Sequence, residues 1–303
     1  MSTVAVLGEW SDAPFAHPPI APATGPFSRR PFLEAWWRQI AGDDQLVLIS
    51  ADSGALTLRV AGDRVMFCGD ADLTDYHTPL GDPLAAIDAA AERFSGHAFS
   101  FDSLPAEAAA ALHSALDAGG HPHRVTRESV TAIVELPAEA DAWLARLDKK
   151  DRHEVRRKQR TFARTFGEPH LERRTDPGAM AIFADLHRSA AGAKGGFMTR
   201  EREAFFAALV DHAGASVDLL VTDGGPVSAA FGFAQPDGYY LYNSAYAPAA
   251  ASASPGIVLL TTLIESLIAD GVPRLDLLKG DEPYKLRLGA VPRQLHRIDG
   301  LLT

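Results

Sequence analysis

The segment Ser252 to Ile257 has the composition of a helix start that can hold a phosphate group. Ser254 is a favourable residue immediately before a helix, and Pro255 is favourable as its first residue. The first turn of a helix has unpaired backbone N–H groups and a partial positive charge, which attract phosphate. Gly256 allows close approach to the backbone, and Ser252 and Ser254 add hydroxyl donors. A well-capped helix start without a ligand is the alternative.

A second group of side chains, in the segment Gly280 to Lys285, has the chemistry needed to move protons. Asp281 and Glu282 can accept a proton or orient an amine, and Tyr284 can donate a proton. The same carboxylates can instead cap the helix that follows. Tyr284 and Lys285 can likewise close a purely structural hydrogen-bond network.

The predicted strand Tyr239 to Tyr246 places further candidate ligand-binding side chains near these two segments. Alternation along a strand puts Tyr242 and Tyr246 on one side and Asn243 on the other. We predict that Tyr246 contacts a cofactor and that Tyr242, Asn243 and Lys285 contact a substrate. Packing on the face of a sheet is the alternative for the tyrosines.

A strongly basic segment stands out in an otherwise acidic chain. Between Asp148 and Arg164 there are eight Lys and Arg residues and three Asp and Glu residues, a local charge of +5, whereas the whole chain carries −10. Arg152 and Arg156, on one face of a predicted helix, are candidates for binding a phosphate or carboxylate group of a substrate. A solvated surface helix is the alternative. The acidic total argues against DNA as a partner.

No pattern in the sequence predicts a metal site or a covalent nucleophile. His121 and His123 flank a proline, but no carboxylate or cysteine cluster accompanies them at ligand spacing, so we expect a loop. Cys68 lies in an apolar strand and is interpreted as a core residue. The chain has neither a nucleophile elbow nor a Gly-Lys-Ser/Thr phosphate loop.

Size and composition predict a globular protein of two domains. The chain has 303 residues, of which 47% are hydrophobic and 22% charged. No apolar run is long enough to cross a membrane, and no secretory signal precedes the first domain. A single cysteine excludes an internal disulfide and favours a reducing compartment, so we expect a cytoplasmic protein.

Hydrophobic patterning restarts near Pro137 and divides the chain into two mixed α/β halves, 1–137 and 138–303. An irregular lead-in of about thirty residues opens the first half, which continues with a helix, three strands, two helices and a strand. One long helix from about Ala138 to Phe166 opens the second half, followed by two helices, an antiparallel meander, a helix, a strand, a last helix and a closing strand. We predict a mixed α/β fold in which each half has a mostly antiparallel sheet flanked by helices.

Five segments carry a family resemblance, and they are KDRHEVRR (150–157), PVSAAFGF (226–233), SPG (254–256), GDEPYK (280–285) and DYH (75–77). Together with the order of elements in the second half, they resemble the GNAT acyltransferases. The similarity is greatest to the GNAT subgroup associated with cellulose and exopolysaccharide biosynthesis, which is related to the Fem aminoacyltransferases. GDEPYK is the most specific segment, and the resemblance begins at about Phe27.

The resemblance implies two tandem GNAT-like domains and a direct acyl transfer in a ternary complex. Residues 1–137 would be a degenerate copy that shapes the acceptor cleft, and 138–303 would be the catalytic domain. The implied co-substrate is acetyl-CoA or another acyl-CoA, with no metal. Its pyrophosphate would lie at Ser252, Ser254, Gly256 and Ile257, beside Tyr246.

The family pattern also gives roles to the proton-transfer candidates. Tyr284 stands near the place where GNAT enzymes often keep the acid that protonates the leaving thiolate, and Asp281 or Glu282 would act on the amine. The sequence departs from the pattern at the CoA loop. Family members carry Gln or Arg and then Gly where this chain has Ala251 and Ser254, so that only Gly256 matches.

We therefore expect an N-acyltransferase that moves an acyl group, with acetyl as the expected group, to an amine on a small-molecule or glycan-related acceptor. Two alternatives stay open. One is a Fem-type transferase that takes its group from aminoacyl-tRNA, for which the basic segment would lie beside the donor pocket. The other is a non-catalytic GNAT-like binding protein.

Overall fold

The structure is a computed structural model that describes residues 4–190 and 192–303. Contacts between residues divide the chain into two compact units. Unit 1 comprises Met1–Thr131 and Arg293–Thr303, and unit 2 comprises Ala132–Pro292. The closing strand thus belongs to unit 1 from Arg293 onward, where it pairs with another strand of that unit. The proposed domain limits, 1–137 and 138–303, stay a prediction.

Unit 1 is built on a sheet with the strand order β1-β2-β3-β4-β6-β13. Its strands are β1 (Val4–Leu7), β2 (Gln45–Ala51), β3 (Gly54–Ala61), β4 (Arg64–Phe67), β5 (Leu80–Gly81), β6 (Ala98–Pro105) and β13 (Val291–Leu301). Its helices are α1 (Arg30–Ile40), α2 (Leu84–Arg93) and α3 (Ala106–Ala118). The pairs along this order are antiparallel except for the parallel pair β4–β6, and β5 pairs with β3.

Helices α2 and α3 cover one face of this sheet. Ala108, Leu112 and Ala115 are buried at the spacing of one helix face. Small alanine side chains let α3 approach the phenylalanines of β6, of which Phe99 and Phe101 are buried in the same apolar cluster. Cys68 is also buried, and burial raises the pKa of its thiol well above the usual range.

Unit 2 has the sheet order β7-β12-β11-β10-β9-β8. Its strands are β7 (His123–Glu135, in this unit from Ala132), β8 (His170–Arg174), β9 (Ala215–Thr222), β10 (Gly225–Gln235), β11 (Gly238–Tyr246) and β12 (Arg274–Lys279). Its helices are α4 (Ala140–Arg146), α5 (Lys149–Phe166), α6 (Pro177–Arg188), α7 (Ala193–Phe197), α8 (Arg200–Ala213), α9 (Pro255–Ala269) and α10 (Pro283–Arg287). The strands from β8 to β11 form an antiparallel series, and β11 pairs with β12 in parallel.

The central helix α9 follows β11 after a short 3-10 turn, Pro248–Ala253. Nine of its residues are buried, among them Leu259, Leu263 and Leu267, and it packs in the main apolar cluster of unit 2. Because this helix is anchored along its length, its first turn holds a fixed position beside the ends of β11 and β12. In the part of the chain that the structure describes, no helix has the length and apolar character needed to cross a membrane.

Two expectations about local structure are wrong. The lead-in is not irregular throughout, since β1 pairs antiparallel with β2 from Val4↔Ala51 to Leu7↔Leu48. The single helix expected from Ala138 to Phe166 is two helices, because Leu147 and Asp148 are extended, with ψ values of 151° and 150°. A hydrogen bond from the buried indole Nε1 of Trp143 to the carbonyl oxygen of Leu288, at 3.0 Å, fixes α4 separately.

Candidate functional site

The candidate site is a cavity of about 530 Å³ in unit 2, which is within the size range of small-ligand pockets. Its walls come from β11, β12, the start of α9, the middle of α5 and the segment that leads into α10. The predicted site residues that line it are Tyr242, Asn243, Tyr246, Ser254, Gly256, Ile257, Glu282, Tyr284 and Lys285. The fold thus brings together side chains that lie far apart in the sequence.

The cavity opens where two parallel strands separate. Strands β11 and β12 are paired at Tyr239↔Leu275 and Tyr240↔Asp276, and the described residues show no further pairs between them. The lining begins directly beyond these pairs, at Leu241 on β11 and at Leu277 on β12. Strands that part in this way leave backbone N–H and C=O groups available to a ligand.

A bulge in β11 re-aims side chains at the same place. The pairing with β10 shifts between Phe231 and Gly232. Tyr242 lies in the bulge, between Leu241, which pairs with Gly232, and Asn243, which pairs with Phe231. The Tyr242 ring stacks on Phe206 with ring centres 5.2 Å apart. The amide oxygen of Asn243 lies 3.1 Å from Nε2 of the buried His187. These contacts fix both side chains at the cavity wall.

The helix start has the shape of an anion site, although it is not capped as expected. Ser254 precedes α9 in the left-handed conformation (φ 57°, ψ 48°), and its side chain makes no capping hydrogen bond. Ser254 is one of the residues that line the cavity. A non-glycine residue in this conformation costs about 1 kcal/mol or more, and such strain is concentrated at functional sites. The side-chain cap expected from the sequence is not formed, and the role of Ser254 in binding stays a prediction.

Gly256 leaves room for a ligand at this helix start. A Cβ atom added there would meet only the Tyr246 ring, at an ordinary contact distance of 3.5 Å. The space next to the first turn is therefore open cavity rather than packed side chains.

Lys285 holds the loop after β12 from inside. Its side chain is 3% exposed, and Nζ donates to the carbonyl oxygens of Leu278, Lys279 and Gly280. Nζ also lies 3.1 Å from Oε2 of Glu282. The ammonium group of Lys285 thus orders the segment that carries the proton-transfer candidates, and only its remaining surface reaches the cavity.

Tyr284 has the protonation state that a general acid needs. Burial raises the pKa of its phenol to about 12, and the nearby Glu282 carboxylate adds to the rise. The hydroxyl group therefore keeps its proton throughout the neutral range. The carboxylate of Glu282 is 53% exposed, which leaves it open to solvent and to a ligand.

Four predicted residues do not line the cavity: Ser252, Asp281, Arg152 and Arg156. The guanidinium group of Arg152 donates to the carbonyl oxygens of Leu144 and Ala145 at the end of α4. The side chains of Ser252, Asp281 and Arg156 are exposed to solvent. Their roles in binding and catalysis stay predictions.

Two lysines that the sequence analysis did not single out line the cavity. Lys158 reaches it from α5, and Lys279 from the end of β12. The position of Lys158 in the helix was the available signal, because it lies at helical spacing between the buried Val155 and Phe162 and therefore faces inward. Both bring positive charge to the lining of the cavity, and Nζ of Lys158 also lies 3.8 Å from Oε1 of Glu154.

In a comparison with known families, residues 149–286 match the family described as the acetyltransferase (GNAT) domain. The matched segment starts with α5 and ends in α10, so that it includes every wall of the cavity. A sequence comparison with curated proteins finds no match.

Solved structures similar to the chain extend over nearly all of it. A conserved protein of unknown function from Bacteroides thetaiotaomicron VPI-5482 has a TM-score of 0.65 at 17% identity, over 99% of this chain and 100% of that one. FemX has a TM-score of 0.65 at 14% identity, over 94% and 93%. A tandem GNAT protein from the clavulanic acid biosynthesis pathway has a TM-score of 0.50 at 13% identity, over 100% and 99%.

At these identities the similarity establishes the fold. The prediction of a mixed α/β fold with tandem GNAT-like architecture is confirmed. Residues 149–286 match the GNAT acetyltransferase domain family, and the chain has a GNAT-type fold.

Proposed function

We propose that the cavity of unit 2 binds an acyl-CoA and transfers its acyl group, acetyl in the simplest case, directly to an amine. The observation that carries this proposal is the open cavity at the start of α9, between the separating strands β11 and β12 and beside Lys158 and Lys279. In this proposal residues 138–303 are the catalytic domain and residues 1–137 a degenerate GNAT-like copy.

The phosphate groups of CoA account for the charge and shape of one end of the cavity. The positive end of the helix dipole and the hydroxyl group of Ser254, which does not cap the helix, favour an anion there, and Lys158 and Lys279 add positive charge to the same cavity. Gly256 leaves the space that a pyrophosphate needs to approach the backbone. Ile257 and Tyr246 supply apolar surface for the pantetheine chain.

The reaction needs positioning and two proton movements. The acceptor nitrogen attacks the thioester carbon, an N–C bond forms, and the C–S bond breaks. Tyr284, protonated because its pKa is raised to about 12, gives its proton to the departing sulfur. Glu282, whose carboxylate reaches solvent, accepts the proton that the amine loses, and Asp281 is the second candidate for this role.

The acceptor would enter along the polar wall formed by Tyr242, Asn243 and Ser244. Hydroxyl and amide groups at this wall suit a small-molecule or glycan-related amine, which presents several hydrogen-bonding groups of its own. The sequence resemblance to the subgroup associated with exopolysaccharide biosynthesis supports a glycan-related acceptor. Arg152 and Arg156 remain candidates for its anionic groups.

A Fem-type transferase is the second candidate, and one observation favours it. Lys149, Arg156, Arg160 and Arg164 are exposed on α5, the same helix that sends Lys158 into the cavity. A row of exposed cations beside a donor pocket suits the phosphate backbone of an RNA. The fold similarity to FemX is compatible with this alternative.

Calorimetric titration with acetyl-CoA and with CoA tests the proposal on three forms of the full chain. The unaltered protein is expected to bind with a Kd of micromolar order. Gly256→Ala fits the available space and should change affinity by less than about tenfold, whereas Gly256→Glu places a carboxylate against the phosphates and should abolish binding. Circular dichroism establishes that both variants are folded.

Each outcome decides between the candidate functions. Absence of binding to the unaltered protein contradicts the acyl-CoA proposal, and a tRNA gel shift that weakens steeply with salt then supports the Fem-type alternative. Binding that survives in Gly256→Glu contradicts the placement of the phosphates at α9. Binding without transfer to any of a panel of amines supports the non-catalytic alternative.

A further inference from the structure

Three side chains that commonly bind metals converge in unit 1, away from the acyl-transfer cavity. They are His113 and Asp117, one turn apart near the end of α3, and His123, the first residue of β7. One potential ligand atom from each lies within 4.8 Å of the other two. Neither the family match nor the proposed function involves these residues.

The hydrogen bonding of His123 determines which of its two ring nitrogens can bind a cation. Its Nδ1 lies 2.7 Å from the carbonyl oxygen of His121. A carbonyl oxygen only accepts hydrogen bonds, so Nδ1 carries the proton and Nε2 keeps a lone pair directed at the cluster. Histidines that bind metals usually have their second nitrogen fixed in this way. The side chain is only 5% exposed, and its orientation is therefore fixed.

The three side chains lie close enough to share one ion after a small movement of His113. The Asp117 carboxylate lies 3.5 Å from Nε2 of His113 and 3.7 Å from Nε2 of His123, beyond good hydrogen-bonding distance. Ligand atoms on a tetrahedral zinc ion are separated by about 3.3 Å. Nδ1 of His113 lies 2.7 Å from Nε2 of His123, which is a hydrogen bond between the two imidazoles. The His113 side chain is 51% exposed, so its ring can turn and exchange this hydrogen bond for a shared ion.

We propose that His113, Asp117 and His123 form a Zn²⁺ site with water in the fourth position. Two imidazoles and one carboxylate suit zinc rather than magnesium or calcium, which prefer all-oxygen ligands. The ion would join the end of α3 to the start of β7 across the turn at Gly119 and Gly120. It would therefore act as a staple within unit 1 rather than in acyl transfer.

From the sequence, His121 and His123 were a histidine pair without a neighbouring carboxylate, and no metal site was expected. In the structure His121 faces elsewhere, with its Nδ1 near Thr303. The carboxylate and the second imidazole come from the preceding helix, at a spacing of four residues that puts both on one face of α3.

Titration with ZnCl₂ tests the site on the full chain, freed of any polyhistidine tag and stripped with a chelator. We expect about one Zn²⁺ per chain with a Kd of micromolar order, and a rise in Tm on the order of 5 °C at a hundredfold excess over Kd. His113→Ala, at a mostly exposed position, should weaken binding at least tenfold without unfolding the protein. Asp117→Asn, also at an exposed position, should weaken it as well.

His170→Ala is the matched control, because His170 is an exposed histidine 3.1 Å from a carboxylate, that of Glu172, in unit 2. It should leave the zinc affinity and the Tm rise unchanged. Electron paramagnetic resonance of the Cu²⁺-loaded protein should show two coordinating nitrogens, and one fewer in His113→Ala. Zinc binding that is absent, or that His113→Ala and His170→Ala lower equally, overturns the proposal.

Discussion

Replacing Lys285 by Met tests whether a buried ammonium group holds the loop at the cavity. Lys285 is 3% exposed, and Nζ lies 2.6 Å from the carbonyl oxygen of Lys279, 3.1 Å from that of Leu278 and 3.3 Å from that of Gly280. Methionine keeps an unbranched apolar side chain in the same space but has no hydrogen to donate. The substitution therefore removes the donor without opening a large hole.

The magnitude follows from these contacts. Hydrogen bonds to a charged group contribute about 1.5–3 kcal/mol each, and only the two shorter bonds to carbonyl oxygens count fully. The pair with Glu282, whose side chain is 53% exposed, adds less than about 1 kcal/mol. Water reaches part of the loop and replaces some of the lost hydrogen bonds. We therefore expect the free energy of unfolding of unit 2 to fall by about 3 kcal/mol, which corresponds to a change of more than a hundredfold in the unfolding equilibrium constant.

Urea unfolding measures this difference directly. With a slope of about 2–3 kcal/mol per molar, the midpoint should fall by about 1 M. Lys150→Met, at an exposed position of α5, is the matched control and should change the free energy by less than about 0.5 kcal/mol. A midpoint for Lys285→Met that coincides with the control would refute the structural role, whether or not ligand binding is altered.

Three further predictions concern other buried groups of unit 2. Tyr284→Phe should lower kcat by about a hundredfold or more, while the Kd for acetyl-CoA stays within about twofold. Because the pKa of the Tyr284 phenol is raised to about 12, ionisation of this phenol should cause no loss of activity in the unaltered protein up to about pH 10. An unchanged kcat of the variant in steady-state assays contradicts the role of Tyr284 as the acid. Asp218→Asn removes the buried carboxylate that Nε of Arg173 contacts at 2.7 Å. The free energy of unfolding measured in urea should fall by about 3 kcal/mol, and a fall of less than about 1 kcal/mol contradicts a stabilising role for this ion pair. Gly232→Ala places a methyl group closer than van der Waals distance to the hydroxyl end of Tyr239, which donates a hydrogen bond to Asp218. The free energy of unfolding should fall by about 2 kcal/mol, with a lower Tm. An unchanged Tm would contradict the tight packing at this position.

The sequence predicts the regular elements of unit 2 well, because glycine-rich turns and apolar alternation mark β9, β10 and β11. It does not predict β8, His170–Arg174, whose residues are mostly polar. Among the residues that the structure describes, this edge strand pairs with β9 alone, so that no apolar alternation is needed. The break between α4 and α5 is hidden for another reason, since Leu144, Leu147 and Val155 are all buried and the apolar spacing continues across it.

Most of the residues that line the cavity could be found from the strand and helix patterns and the family resemblance. The hydrogen-bond partners of several of these side chains could not be predicted. Arg152 binds the end of α4, and Lys285 binds its own loop, because nearby carbonyl oxygens compete with a ligand for their N–H groups. Ser254 was expected to cap α9, yet its left-handed backbone turns the hydroxyl group away from that role. Such choices depend on local backbone geometry, which residue types alone do not determine.

The last strand of the chain also sets an order of folding. Strand β13 pairs with β6 from Leu295↔Pro105 to Leu301↔Ala98, so unit 1 needs contacts between residues almost two hundred positions apart. During synthesis β6 leaves the ribosome long before its partner β13. By the time β13 is synthesised, the whole segment Ala132–Pro292 has already been made. A fragment of residues 138–303 would contain β13 but not its partner β6, and β13 would then be an unpaired edge that favours aggregation. The fragment that stands the best chance of folding alone is therefore the interior segment Ala132–Pro292.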